Sequence, residues 1–178
     1  LLGVELPKPI LTREACACNY TNEGGVGNTI RFLKNIMGLW LVQECRRSWL
    51  RQGDKLEYAQ LVELASKEPA FRSIVYPNNE CFAAPADMPQ AIAAFCKRTG
   101  QPAPKTKGQF VRCAMESLAL TYREAIAGLE RLTGRSIKTI HIVGGGSQNR
   151  MLNQFTADAT GRVVVAGPVE ATAAGNIM

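Results

Sequence analysis

The chain has 178 residues, 46% of them hydrophobic and 20% charged, with a formal net charge of +6. That length and balance suit one soluble domain or one lobe of a larger enzyme. The longest apolar run, residues 36–42, is far short of the roughly 20 residues a membrane-spanning helix needs, so no membrane partner is expected.

In chain order, residues 14–23 alternate loosely and read as a strand. Glycines at 24, 25 and 27 mark a turn, and residues 29–33 read as a second strand, which makes a hairpin. A helical pattern runs from Asn35 to about residue 50, and a second covers 56–66. Residues 76–89 hold three prolines and read as a loop. A short helix follows at 90–98, then a Pro/Lys-rich connection. The longest helix spans 109–132, with Phe110, Cys113, Ala114, Leu118, Tyr122, Ala125, Leu129 and Leu132 along its apolar face and Gly134 as its stop. After it come a buried-type strand at 138–143, a helix at 147–160, a strand at 162–166 and a helix opening at Pro168. Alternating helix and strand predicts an α/β fold with a parallel pair.

Basic residues are scattered rather than gathered into a patch with interleaved aromatics, which argues against a nucleic-acid partner. The six cysteines contain no CxxC pair and accompany a single histidine, which argues against a zinc centre. They read as reduced cytoplasmic thiols, mostly buried, with Cys96 and Cys113 able to approach across a helix pair. His141 reads as a satisfied structural histidine in its apolar strand.

The sharpest chemical feature is Gly144-Gly145-Gly146-Ser147-Gln148-Asn149 at the end of a strand. Glycines allow close backbone approach to a phosphate, and a following helix capped by Ser147 would add free N–H groups. A tight turn without a ligand fits the triplet alone equally well. The dinucleotide pattern GxGxxG fails at Asn149, and the P-loop pattern fails for want of a lysine.

Together, GGGSQN, NQFTADATG and GPVEATAAGN resemble the C-terminal domain of the FGGY carbohydrate kinases. Similarity extends to TNEGG at 21–25 and RFLKNIMGLW at 31–40. These stretches narrow the resemblance to members that act on L-rhamnulose. The resemblance implies an α/β, RNase H-like (actin-like ATPase) domain, a mixed sheet flanked by helices. It makes residues 1–178 a nucleotide-holding lobe, shortened at both ends, with ATP and Mg²⁺ as cofactors and ATP/ADP as partners. The sugar would bind mainly to an N-terminal lobe outside this chain, which would also supply the catalytic aspartate. No residue here is therefore assigned a catalytic role; Asp87, Asp158 and Glu170 match no such position. Gly145 would contact the nucleotide, with Gly144 and Gly146 beside it. Asn35 and Gln43 would join it from one helix, with Asn149 near the adenine and Ser147 near the phosphates. The hairpin at 22–27 would face the cleft. Asn28 stands where the family often has glycine, Val163 where it often has proline, and Ala174 where a bulkier residue is common. The implied reaction is phosphorylation of L-rhamnulose at its 1-hydroxyl in the cytoplasm. A fuculose or xylulose kinase and a non-catalytic actin-like nucleotide module are the alternatives.

Overall fold

The computed structural model describes residues 1–169. Its elements are β1 (Leu2–Leu6), α1 (Arg13–Ala17), β2 (Tyr20–Gly24), β3 (Ile30–Lys34), α2 (Trp40–Arg51), α3 (Tyr58–Ser66), α4 (Met88–Arg98), α5 (Lys107–Thr133), β4 (Thr139–Ile142), α6 (Arg150–Thr160) and β5 (Val163–Ala166). The expected α/β class holds. Both strand orientations are present, in two sheets: antiparallel β1-β3-β2 and parallel β4-β5.

Helix α5 is the spine. Thr106 caps its start by accepting from the Gln109 N–H, and Gly134 ends it at φ 68°. Cys113, Ala114, Leu118, Ala125 and Leu129 are buried on the expected face, and Val111, Met115 and Ile126 are buried as well. The middle of the helix is thus covered around most of its circumference, because α2, α3, α6 and β1 all pack on it. Leu41, Val42, Leu61, Met88 and Ile92 complete this core from α2, α3 and α4.

A second, smaller core lies under the antiparallel sheet, built from Leu6, Ala15, Tyr20, Phe32 and Leu129. Tyr20 stacks on Phe32 at 5.2 Å between ring centroids and donates to the Ala125 carbonyl of α5 at 2.5 Å. Gly128 makes this approach possible, since a Cβ there would collide with the Tyr20 hydroxyl. Glu130 then ties the parallel pair to the end of α5. It pairs with Arg162 at 2.7 Å and accepts the Ile137 N–H at 2.8 Å.

Six local expectations change. The strand expected at 14–23 starts only at Tyr20, because Thr12 caps the helical turn α1 through the Ala15 N–H. The helix expected from Asn35 starts at Trp40: Gly38 sits at φ 62°, and Asn78 holds the chain before it, accepting the Met37 N–H and donating to the Asn35 carbonyl. Helix α6 is capped by Asn149 rather than Ser147. Strand β4 is not buried, since among the described strands it pairs only with β5, and His141 is exposed rather than satisfied in a core. Three of the six cysteines are buried, and all six are free thiols. Among them, Cys96 of α4 and Cys113 of α5 are buried in the same core. Asn28 takes φ 62°, the left-handed conformation that asparagine tolerates better than most residues. The helix expected from Pro168, including Glu170 and Ala174, lies outside the described residues from position 170 onward.

Candidate functional site

The glycine turn sits where the two parallel strands end, the usual ligand side of an α/β unit. Gly144 takes φ 78° and ψ −168°, a conformation closed to other residues. Its N–H donates to the Pro168 carbonyl, while the Gly167 N–H donates to the Ile142 carbonyl, so the segments that follow β4 and β5 are zipped together. A single turn of 3₁₀ helix, Gly145–Gln148, comes next, and α6 follows from its Asn149 cap.

The three glycines do different work. Gly144 supplies the backbone conformation. At Gly145 and Gly146 neither backbone strain nor packing among the described residues demands glycine: a Cβ at either would meet none of their atoms within 4 Å. Their N–H groups find no acceptor among the described residues, as expected at the start of a helical turn.

Gly145 and Gly146 line an open cleft of about 1520 Å³. Gln43, Glu57, Tyr58, Val62, Gln148, Asn149 and Asn153 line it as well. Tyr122, Ile126 and Leu129 of α5 contribute apolar surface, and the cleft continues along β1. Burial pushes the Tyr122 phenol up to about 12, so it is a neutral donor and no base at ordinary pH. Burial also raises Tyr58, partly offset by the Arg46 guanidinium, which lies 5.5 Å from its ring centre, and by Gln43. Arg46 reaches Glu57 at 3.2 Å. Arg150, the first residue of α6, is the cation among the lining side chains.

The structure therefore brings together Gln43, Gly145, Gly146 and Asn149, with Gly144 as the bend behind them. Asn149 spends its side-chain oxygen on the Leu152 N–H, leaving its amide N–H₂ for other partners. Ser147 departs from expectation. It is buried, its hydroxyl turns back to donate to the Gly144 carbonyl at 2.8 Å, and it does not line the cleft. Asn35 also lies off the cleft: it falls between β3 and α2, so the two amides do not share a helix. None of residues 22–27 lines the cleft either; β2 is the outer strand, with β3 and β1 between it and the cleft, and Asn22 instead pairs with both backbone groups of Ile10. Asn153, Tyr58 and Glu57 were not expected. Only the place of Asn153, one helical turn beyond Asn149, could have marked it.

The described residues include no cluster of three or more histidine, cysteine, aspartate or glutamate side chains placed to hold a metal ion. No described helix is long and apolar enough to cross a membrane.

Residues 1–178 match the C-terminal domain of the FGGY family of carbohydrate kinases. The chain is 54% identical over 178 residues to a rhamnulokinase of Bacteroides thetaiotaomicron and 47% identical over 180 residues to one of Enterococcus faecalis. To a rhamnulokinase of Bacillus subtilis it is 44% identical over 178 residues. Each alignment takes in 100% of this chain and 36% of the relative, so the chain spans about a third of the length of these curated relatives. On a match that runs its whole length, the chain belongs to the FGGY family of carbohydrate kinases.

Proposed function

We propose that residues 1–178 form the nucleotide-holding lobe of an ATP-dependent sugar kinase, and that the full-length protein converts L-rhamnulose to L-rhamnulose 1-phosphate in the cytoplasm. The observation that carries the nucleotide reading is the pair Gly145 and Gly146. Their N–H groups have no acceptor among the described residues, and their Cα positions border open cleft. Backbone N–H groups of this kind suit a phosphate. Gln43 and the Asn149 amide supply polar groups for the rest of the nucleotide. The sugar reading rests on relatives that are rhamnulokinases.

In the transfer, the 1-hydroxyl oxygen of the sugar bonds to the γ-phosphorus as the bond from that phosphorus to the bridging oxygen of ADP breaks. The hydroxyl proton passes to an aspartate expected outside this chain. Mg²⁺ would neutralise phosphate charge, held largely by the phosphates themselves and by water. What this lobe contributes is binding and orientation: the turn holds the phosphates while Gln43 and Asn149 orient the nucleoside.

The test is an assay of full-length protein with ATP, Mg²⁺ and a panel of L-rhamnulose, L-fuculose and D-xylulose, with the product resolved by mass spectrometry. L-Rhamnulose 1-phosphate as the preferred product supports the proposal. Preference for another ketose overturns the sugar assignment, and no phosphorylation of any ketose overturns the kinase reading.

A further inference from the structure

The glycine turn can hold a phosphate only if its backbone keeps one shape, and a run of three glycines has little shape of its own. Its upstream end is held by the Gly144 N–H on the Pro168 carbonyl. Its downstream end is Ser147, whose N–H and hydroxyl both return to the Gly144 carbonyl, at 3.0 and 2.8 Å. Those two bonds close the turn on itself without attaching it to the rest of the protein. Two bonds attach it to α6: the Asn149 N–H donates to the Gly146 carbonyl at 3.1 Å, and, as the side-chain tether, the Asn153 N–H₂ donates to the Ser147 carbonyl at 2.9 Å. Asn153 stands on α6, which is fixed in the core by buried Leu152 and Thr156.

The other arm of the same amide is telling. The Asn153 oxygen is shielded from solvent and accepts no hydrogen bond among the described residues. A buried unpaired acceptor costs stability, so an apolar residue of similar size would serve a purely structural position as well or better. We infer that Asn153 is a positioning residue of the nucleotide site: its amide docks the glycine turn onto α6 and sets the direction of the Gly145 and Gly146 N–H groups. This rests on the nucleotide reading above. Asn153 itself holds the loop, while the backbone of the loop meets the ligand.

Full-length protein carrying Asn153→Leu or Asn153→Asp tests the assignment, with ATP affinity from calorimetry, separate KM values for ATP and sugar, and thermal midpoints. The leucine loses the donor and the unpaired acceptor together. Its ATP Kd and ATP KM should rise about fivefold, the value of one ordinary hydrogen bond. Its sugar KM and thermal midpoint should stay near those of the parent. Aspartate has the same shape but turns an acceptor toward the Ser147 carbonyl, so its ATP KM should rise further than that of the leucine variant. Unchanged ATP affinity in both variants, with the parent binding ATP, removes the positioning role and leaves the nucleotide reading standing. Equal rises in ATP and sugar KM also overturn it, since they mark a general structural defect. If the parent fails to bind ATP, the nucleotide reading itself falls. Should the leucine variant not fold, the isosteric aspartate variant decides alone.

Discussion

Gly145→Val separates a phosphate site from an ordinary turn more cleanly than any other single change. A Cβ at position 145 meets no atom of the described residues within 4 Å, and the backbone there is not left-handed. Folding should therefore tolerate the substitution, with a stability change within about 1 kcal/mol, the range of glycine substitutions at compatible positions. The cost should fall on the ligand, because the branched side chain occupies the space through which a phosphate oxygen reaches the N–H. A hydrogen bond to a charged group contributes about 1.5–3 kcal/mol, so losing one should weaken ATP about ten- to 150-fold. Calorimetric titration of ATP and ADP into full-length protein measures this, with a thermal midpoint on the same samples. Gly145→Ala should lie between parent and valine. Binding within twofold of the parent, in a folded valine variant, would refute the assignment and leave the glycines as a turn. A large fall in thermal midpoint would instead refute the claim that nothing packs at this position.

Other perturbations probe the frame around the site. Tyr20→Phe removes the bond to the Ala125 carbonyl and should cost about 1 kcal/mol in denaturant unfolding. Gly128→Ala should cost more, because the new methyl strikes the Tyr20 hydroxyl, and combining it with Tyr20→Phe should recover part of the loss. Asn78→Ala frees the segment before α2 and should lower stability by about 1–2 kcal/mol, since two hydrogen bonds are lost. Burial raises the phenols of Tyr20 and Tyr122 to about 12, from an ordinary 10.0. Between those values the unfolded chain has released protons that the folded chain retains, so stability should fall as pH climbs from 10 to 12. Phenolate absorbance followed together with unfolding checks this, and ionisation of both rings near pH 10 in folded protein would contradict it.

Much of the molecule was legible in the sequence because the features concerned are local. Helix α5 is marked by its apolar spacing and its glycine stop, β3 by its short apolar run after a turn, and the Gly144–Asn149 turn by residue types that permit few other conformations. Composition and spacing alone could not choose between a bare turn and a phosphate site; the family resemblance supplied that choice. Elsewhere a local competitor prevailed. The Thr12 cap made a helical turn of residues that alternate like a strand, and Gly38 delayed α2 until Trp40. What the sequence could not decide was which distant groups meet. Asn35 and Ser147 carry the chemistry expected of site residues, yet Asn78, 43 positions away, fixes the segment of one, and the Gly144 carbonyl takes the hydroxyl of the other. Asn153 shows the reverse, a residue without a motif that packing brings to the Ser147 carbonyl. Hydrogen-bond capacity belongs to a residue type and is written in the sequence. How that capacity is used depends on which donors and acceptors the packed helices bring within about 3 Å of one another, and only the tertiary structure decides that.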